Sequence, residues 1–242
     1  MTARHVKLMG EHVGKRLVLW DIDKTLLDVD GVGFEIFSAA FAEYSGLTEH
    51  QETRGAGRTE WRWFHDTLLA NGVDPADDGF ARFLDVQDRL FAARTADLVE
   101  RGRVLAGAER VLRHCAGDSD IVSSLLTGNT RRNAERKLAA FGLDDLVDFS
   151  LGAYGDDHMD RPELVSIARR RVYERIGVQF TPATTVLVGD NANDIRAAQE
   201  GGARIVAVAT GDTDAATLRS LGADTVLDDL SDTEAVLDAL LG

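Results

Sequence analysis

The stretch Arg16–Leu27, with the sequence RLVLWDIDKTLL, decides the fold class. Its apolar residues 17–20 indicate a β-strand buried on both faces, as in a parallel sheet. Asp21 and Asp23 follow at the carboxyl end of that strand, where open α/β sheets bind ligands. Two carboxylates at such a position are costly unless a group such as a divalent cation neutralises them. The alternative is that Asp21 caps a turn and Asp23 is solvated.

The composition of the chain limits the class of protein. The 242 residues carry a net charge of −14, which argues against nucleic acid or an anionic membrane as a partner. The one cysteine, Cys115, excludes an internal disulfide and a cysteine-built zinc site. The start of the chain lacks the apolar stretch of a signal peptide, and no apolar run approaches membrane-spanning length. We therefore expect a cytoplasmic protein.

The segment 28–103 differs from the rest of the chain. Apolar residues recur there at helical spacing in three series, within 34–44, 61–69 and 80–91, and no parallel-strand pattern is present. Most of the aromatic residues of the chain fall in this segment, which is typical of a small packed helical bundle. We therefore predict a helical domain over 28–103, inserted into a domain formed by 1–27 and 104–242.

After the insert, strand patterns alternate with helical ones. The predicted strands are 121–126, 185–188, 204–209 and 225–227, with a weaker pattern at 147–151. The predicted helices are 108–115, 131–141, 163–176 and 232–241, together with a helix through Ala198. This alternation predicts a doubly wound, parallel α/β sheet.

Polar residues follow three of these strands. The first group is Asp21, Asp23 and Thr25, the second is Thr127-Gly128-Asn129, and the third contains Asp190 and Asp194. Each group alone could be an ordinary turn or helix cap. Their occurrence in this order, each after an apolar strand, indicates one site at one edge of the sheet.

The three motifs resemble those of the haloacid dehalogenase (HAD) superfamily of hydrolases. The matching stretches are Asp21-Ile22-Asp23-Lys24-Thr25, Leu126-Thr127-Gly128-Asn129 and Gly189-Asp190-Asn191-Ala192-Asn193-Asp194. The helical insert resembles the C1-type cap domain of phosphoglycolate-phosphatase-like members. The resemblance implies a Rossmann-like core with an inserted cap. Lys24 departs from the pattern, because many members have glycine there, so this turn must avoid a left-handed conformation or tolerate its cost.

The resemblance also implies roles for individual residues. Asp21 would be a nucleophile that becomes phosphorylated, and Asp23 would act as general acid and then as general base. Mg²⁺ would be held by Asp21, the main-chain carbonyl of Asp23 and Asp190. Asp194 would either bind the ion as well, or orient one of its ligands or pair with the nearby cation. The side chain of Thr127, the N–H of Gly128, the helix start at Asn129 and a nearby cation would bind the phosphate.

The three motifs do not identify the cation that would bind the phosphate or the cap residues that would contact the substrate. Arg161-Pro162 fits the position where the superfamily usually has a basic residue, and a guanidinium can bind phosphate through two hydrogen bonds. The alternative is a solvated Arg161, with Lys137 or Arg169 in its place. Arg54 and Arg58, in the loop 53–59 of the insert, could bind an anionic leaving group or could lie in solvent.

The resemblance implies a Mg²⁺-dependent phosphatase that acts on a small phosphorylated metabolite, either phosphoglycolate-like or a sugar phosphate. Asp23 argues against a dehalogenase, because a leaving halide needs no proton. A sugar phosphomutase of the same superfamily shares all the core motifs and stays open as an alternative. A third hypothesis is a non-catalytic relative that only binds a partner or a ligand. The intact Asp21, Asp23 and Asp190 argue against this hypothesis.

Overall fold

The computed structural model describes residues 14–53, 55 and 57–242. The strands are β1 (Arg16–Trp20), β2 (Leu27–Asp28), β3 (Arg103–Val104), β4 (Ile121–Leu125), β5 (Thr185–Gly189), β6 (Arg204–Val208) and β7 (Thr225–Leu227). The helices are α1 (Val32–Ser45), α2 (Glu60–Ala70), α3 (Gly79–Ala93), α4 (Thr95–Arg101), α5 (Ala108–Gly117), α6 (Arg131–Ala140), α7 (Glu163–Ile176), α8 (Ala192–Gly201), α9 (Ala215–Ser220) and α10 (Thr233–Leu241). Short 3₁₀ turns cover Asp144–Leu146 and Pro182–Thr184.

Five parallel strands form the core sheet in the order β4-β1-β5-β6-β7. Successive side chains of β1 enter opposite layers, because side chains alternate across a strand. Leu17 and Leu19 pack into the apolar cluster that includes residues of α7 and α8, whereas Val18 and Trp20 pack into the cluster that includes residues of α5 and α10. The predicted doubly wound α/β sheet is therefore confirmed.

Helices α1–α4 form a helical cap that is inserted after β2. The aromatic side chains of α1, α2 and α3 pack together, and the rings of Phe64 and Phe83 stack with their centroids 4.6 Å apart. The antiparallel pair β2 and β3 joins the two ends of the insert, with Leu27 opposite Val104. The exact domain boundaries at residues 28 and 103 stay a prediction.

The predicted strand at 147–151 is wrong. The Asp148 carboxylate accepts hydrogen bonds from the N–H of Ser150 (2.8 Å) and from its hydroxyl (2.6 Å), and these bonds turn the chain. The only ladder contact in this part of the described chain is an isolated bridge between Leu126 and Ala153. The apolar residues of 147–151 instead pack into the clusters on both faces of the sheet, Val147 and Phe149 into one and Leu151 into the other.

Over residues 14–53, 55 and 57–242, no helix is both long and apolar enough to cross a membrane. Cys115 is buried and carries a free thiol. Burial raises the pKa of this thiol to about 12, so it is an unreactive apolar side chain.

Candidate active site

The three polar motifs meet because their strands are neighbours in the sheet. Strand β1 lies between β4 and β5, and all three run in the same direction. Just past the end of β1, the N–H of Asp21 donates to the carbonyl of Val188 (2.9 Å). On the other side, the N–H of Leu126 donates to the carbonyl of Trp20 (2.9 Å). The carboxyl ends of these strands therefore form one edge of the sheet, as in other open α/β folds.

An acidic triad of Asp21, Asp190 and Asp194 lies at this edge. One carboxylate oxygen from each residue lies within 4.8 Å of the other two, and all three side chains are buried. The hydroxyl of Thr25 donates to the Asp190 carboxylate (3.3 Å). A Cβ atom at Gly211 would lie 1.8 Å from an Asp190 oxygen, so the chain can approach this carboxylate only with glycine there.

Asp194 is the most rigidly held member of the triad. One carboxylate oxygen accepts hydrogen bonds from the N–H groups of Asp190 (3.1 Å) and Asn191 (3.2 Å) at the start of α8. Its other oxygen accepts from the guanidinium of Arg161 (2.5 Å). Because both oxygens are already engaged, Asp194 is well suited to orient its neighbours.

Arg161 is buried between the core and the cap. Its guanidinium lies 3.0 Å from an Asp21 carboxylate oxygen and donates to the carbonyl of Gly57 in the cap (2.9 Å). Burial by itself would lower the pKa of Arg161, but the carboxylates of Asp194 and Asp21 outweigh burial and raise it. The Nε atom of Arg161 is buried and has no hydrogen-bond partner among the residues that the structure describes.

The triad is chemically suited to a divalent cation. Three buried carboxylates surround the single positive charge of Arg161, which leaves an excess of negative charge at the site. Burial and the repulsion between the carboxylates raise the pKa values of Asp190 and Asp194. Carboxylate oxygens are the ligands that hard divalent cations prefer. A bound cation would relieve both the repulsion and the desolvation.

Asp23 lies apart from the triad, in a separate cluster with Lys137 and Asn129. The ammonium group of Lys137 donates to both Asp23 carboxylate oxygens (2.7 Å each) and to the side-chain carbonyl of Asn129 (2.7 Å). The amide of Asn129 also donates to Asp23 (2.8 Å). In the sequence analysis, Lys137 is an alternative to Arg161 as the phosphate-binding cation. In the structure it contacts Asp23, the proposed general acid and base.

The loop after β4 carries Thr127 and Gly128. The Thr127 hydroxyl oxygen accepts hydrogen bonds from the N–H (3.3 Å) and the amide (2.9 Å) of Asn129, which leaves its own proton free to donate to a ligand. A Cβ atom at Gly128 would lie 1.9 Å from the carbonyl oxygen of Arg58. The backbone of the cap can therefore come this close to the loop only because residue 128 is a glycine. Helix α6 begins at Arg131, the start predicted for 131–141, so Asn129 lies two residues before the helix and not at its start.

The other basic residues of the prediction are placed differently. Arg58 lines a cavity between the cap and the core, and its guanidinium lies 3.4 Å from the Asp66 carboxylate. Arg54 lies outside the described residues. Arg169 donates to the carbonyl of Gly201 and does not line the cavity.

Lys24 adopts the left-handed conformation, with φ of 64°, so this turn tolerates the cost of a side chain at that position and does not avoid it. Two contacts hold this turn. The Lys24 ammonium lies 2.7 Å from the Asp28 carboxylate, and the Lys24 carbonyl accepts from the hydroxyl of Thr210 (2.5 Å).

The cap is in direct contact with the loop after β4 and with the segment that precedes α7. The N–H of Glu60 donates to the carbonyl of Gly128 (2.8 Å), and the N–H of Trp61 donates to the carbonyl of Gly155 (3.1 Å). The hydroxyl of Thr59 donates to the carbonyl of Met159 (2.6 Å). A cavity of about 260 Å³ remains between cap and core, and the motif residues line it.

Glu60 is a cavity residue that the sequence did not reveal. Its carboxylate is almost fully buried and accepts a hydrogen bond from the amide of Gln87. The side-chain carbonyl of Gln87 in turn accepts from the amide of Asn133 (3.0 Å). In the sequence, Glu60 is only an acidic residue in the first turn of a helix, which is a common and uninformative position.

Solved structures with the same fold include several hydrolases. A hydrolase from Pseudomonas syringae is 19% identical, with 93% of this chain and 98% of that chain covered and a TM-score of 0.62. A predicted phosphatase from Clostridium acetobutylicum is 15% identical, with 93% and 99% covered and a TM-score of 0.63. A protein from Bacteroides vulgatus, provisionally assigned as a β-phosphoglucomutase, is 16% identical, with 95% and 90% covered and a TM-score of 0.65. At these identities the likeness shows the fold alone.

No curated protein matches the sequence closely enough to count as a relative. The family model described as haloacid dehalogenase-like hydrolase matches residues 15–202, which include all three polar motifs and the helical cap. The chain therefore belongs to the haloacid dehalogenase-like hydrolases.

Proposed function

We propose that the protein is a Mg²⁺-dependent phosphatase that hydrolyses a small phosphate monoester through an aspartyl-phosphate on Asp21. One observation carries this proposal: the carboxylates of Asp21, Asp190 and Asp194 converge beside Arg161, next to a cavity that also contains Asp23. A site that only binds a cation would not need Asp23, a further carboxylate with its own partners. A phosphatase that forms an aspartyl-phosphate needs the triad and also a carboxyl group that transfers protons.

The first half of the reaction transfers the phosphoryl group to Asp21. A carboxylate oxygen of Asp21 attacks phosphorus, the bond to the leaving oxygen breaks, and Asp23 gives a proton to that oxygen. Thr127, Gly128, Asn129 and Arg161 hold the phosphoryl oxygens, since they combine a free hydroxyl proton, an amide and a cation at one edge of the sheet.

The second half releases phosphate. Water attacks the phosphorus of the aspartyl-phosphate, Asp23 takes a proton from that water, and the bond between phosphorus and the Asp21 oxygen breaks. Asp21, Asp190, Asp194 and the main-chain carbonyl of Asp23 would hold Mg²⁺, which neutralises charge on the phosphoryl group when bound. Mg²⁺ fits this set because it usually keeps waters and substrate oxygens beside a few carboxylates.

The proposed partner is a small phosphorylated metabolite, in agreement with the volume of the cavity. The net charge of −14 gives no attraction to nucleic acid or anionic lipid. The cytoplasmic location stays a prediction.

The test is release of inorganic phosphate from p-nitrophenyl phosphate. We expect activity with Mg²⁺, none with EDTA, and a loss of at least about 10³-fold in Asp21→Asn, because the nucleophile is removed. Asp228→Asn, an exposed aspartate after β7, is the matched control and should keep the wild-type rate. Activity that survives EDTA or Asp21→Asn would overturn the proposal.

A sugar phosphomutase is the second candidate. The hydrogen bonds that the N–H groups of Glu60 and Trp61 donate to Gly128 and Gly155 bring the cap onto the core, and a mutase needs such closure to keep water from its phosphorylated form. Product analysis separates the two activities: a phosphatase releases inorganic phosphate, whereas a mutase returns an isomerised sugar phosphate.

A further inference from the structure

Most charged side chains on the cavity wall are paired with an opposite charge. The pairs and the distances between their charged atoms are Lys137 with Asp23 (2.7 Å), Lys24 with Asp28 (2.7 Å), Arg161 with Asp21 (3.0 Å) and Arg58 with Asp66 (3.4 Å). Paired charges of this kind contribute little net charge to the cavity. We therefore expect the specificity for a charged leaving group to come from the charged side chains of the cavity wall that have no ion pair.

Among the described residues, Asp190 is buried without an ion pair as part of the acidic triad, and outside that triad Glu60 is the buried exception. Only 7% of this residue is exposed, and within the described part of the chain its carboxylate has no ion pair and one hydrogen-bond donor, the amide of Gln87. The nearby Lys137 already directs its ammonium hydrogens to Asp23 and Asn129. Burial raises the pKa of Glu60 to about 7, as expected for a carboxylate with too few partners.

Hydrogen bonds to the backbone and to the side chain of Glu60 fix its position. Its backbone N–H is bonded to Gly128, which lies between Thr127 and Asn129 of the proposed phosphate site. Its side chain is held by Gln87 of α3, and Gln87 is held by Asn133 of α6. Glu60 therefore lies next to the phosphate site on the cap side of the cavity. In the proposed reaction, the leaving group points away from Asp21 towards this side.

We propose that Glu60 selects phosphate monoesters whose leaving group carries a hydrogen-bond donor, and rejects those whose leaving group carries a carboxylate. A hydroxyl or ammonium group would supply the partner that the buried Glu60 carboxylate lacks. A carboxylate on the leaving group would bring a second negative charge into the same enclosed space. The inference rests on the proposed phosphatase function and favours polyol or amino-alcohol phosphates over phosphoglycolate-like substrates.

The experiment compares three two-carbon esters that differ in one terminal group. They are 2-hydroxyethyl phosphate, 2-aminoethyl phosphate and 2-phosphoglycolate. For the wild type with Mg²⁺, we expect kcat/KM for at least one donor-bearing ester to exceed that for 2-phosphoglycolate by about tenfold or more, the usual range for a hydrogen bond to a charged group. Whether the hydroxyl or the amino ester is preferred identifies the donor.

Glu60→Gln is the decisive variant, because glutamine keeps the shape of the side chain and its acceptor for Gln87 but removes the charge. We expect the ratio between the preferred donor ester and 2-phosphoglycolate to fall to within about threefold. Glu100→Gln, an exposed position on α4, is the matched control and should keep the wild-type ratio.

Two results would overturn the inference: a wild type that hydrolyses 2-phosphoglycolate as well as the donor esters, or a ratio that Glu60→Gln leaves unchanged. In both cases p-nitrophenyl phosphate would still be hydrolysed, and the proposed function would stand. A wild type that hydrolyses none of these esters, p-nitrophenyl phosphate included, would instead overturn the proposed function and this inference with it.

Discussion

The core wall and the cap wall of the cavity differ in how they hold their acidic side chains. On the core wall, Asp23 is paired with Lys137, and the triad shares Arg161 in an arrangement suited to a cation. On the cap wall, Glu60 is buried with a neutral amide as its partner. The core wall is therefore organised around the phosphoryl group itself. The cap wall is organised around whatever is attached to it.

Removing one carboxylate from the core wall should have the largest effect. In Asp190→Asn we expect the affinity for Mg²⁺ and the rate of phosphate release each to fall by at least about 10²-fold, because the triad loses a charge while asparagine can still accept from Thr25. Calorimetric titration with Mg²⁺ and a phosphate assay measure the two quantities. Wild-type Mg²⁺ affinity in this variant would show that the triad is not the cation site.

Removing the partner of Asp23 should have a smaller effect that depends on the leaving group. Lys137→Met leaves Asp23 and Asn129 without their shared donor, so Asp23 keeps only the hydrogen bond from the Asn129 amide and is held less firmly for proton transfer. We expect a loss of about 10- to 10²-fold for an alkyl phosphate and a clearly smaller loss for p-nitrophenyl phosphate, whose leaving group needs little protonation.

The matched control for Lys137→Met is Arg110→Met, which removes an exposed cation from α5. It should leave the rates for both esters unchanged. Equal losses for the two esters in Lys137→Met would contradict a role of Lys137 in positioning Asp23 and would leave only a role in packing.

The last prediction concerns the cap wall, whose effect should appear as a pH dependence of stability. The pKa of Glu60 is about 7 in the folded protein, against an ordinary value of 4.5, because the residue is buried. The folded state therefore binds this proton more tightly, and the contribution of Glu60 to stability falls as pH rises from about 4.5 through 7. The groups that also act on this pKa are Gln87 and Lys137, which lower it, and Asp23 and Asp156, which raise it.

Glu60→Gln does not titrate at this position, so a comparison of the two proteins isolates Glu60. Between pH 4.5 and pH 8, we expect the free energy of unfolding of the wild type to fall relative to that of the variant by at most about 3 kcal/mol. Urea titrations at fixed Mg²⁺ concentration measure this difference. A difference that does not change with pH would show that burial does not raise the pKa of Glu60 in the folded protein.

The sequence predicted the sheet and the placement of the motifs, because both follow from local patterns. An apolar strand followed by Asp21 or Asp190 is a short-range signal, and parallel strands bring their carboxyl ends to one edge. The strand predicted at 147–151 failed for a local reason too, since the Asp148 carboxylate turns the chain at Ser150. Its apolar residues are those of a buried segment, and periodicity does not distinguish this from a strand.

The pairing of charges could not be predicted from the sequence. Lys137 and Asp23 are 114 positions apart, and only the folded chain brings Lys137 on α6 to the end of β1. Glu60 becomes buried because α3 and α6 close over it, again through contacts between distant segments. Arg161 was predicted next to the site from a family pattern, and the structure places it beside Asp21.

Acid-quench trapping shows directly whether Asp21 carries the phosphoryl group during turnover. The wild type is mixed with p-nitrophenyl phosphate and Mg²⁺, stopped in acid within one turnover, digested and analysed by mass spectrometry. We expect one added phosphoryl group on the peptide that contains Asp21, and none in Asp21→Asn. Turnover without any phosphorylated peptide, or with the phosphoryl group on another residue, would contradict the proposed role of Asp21.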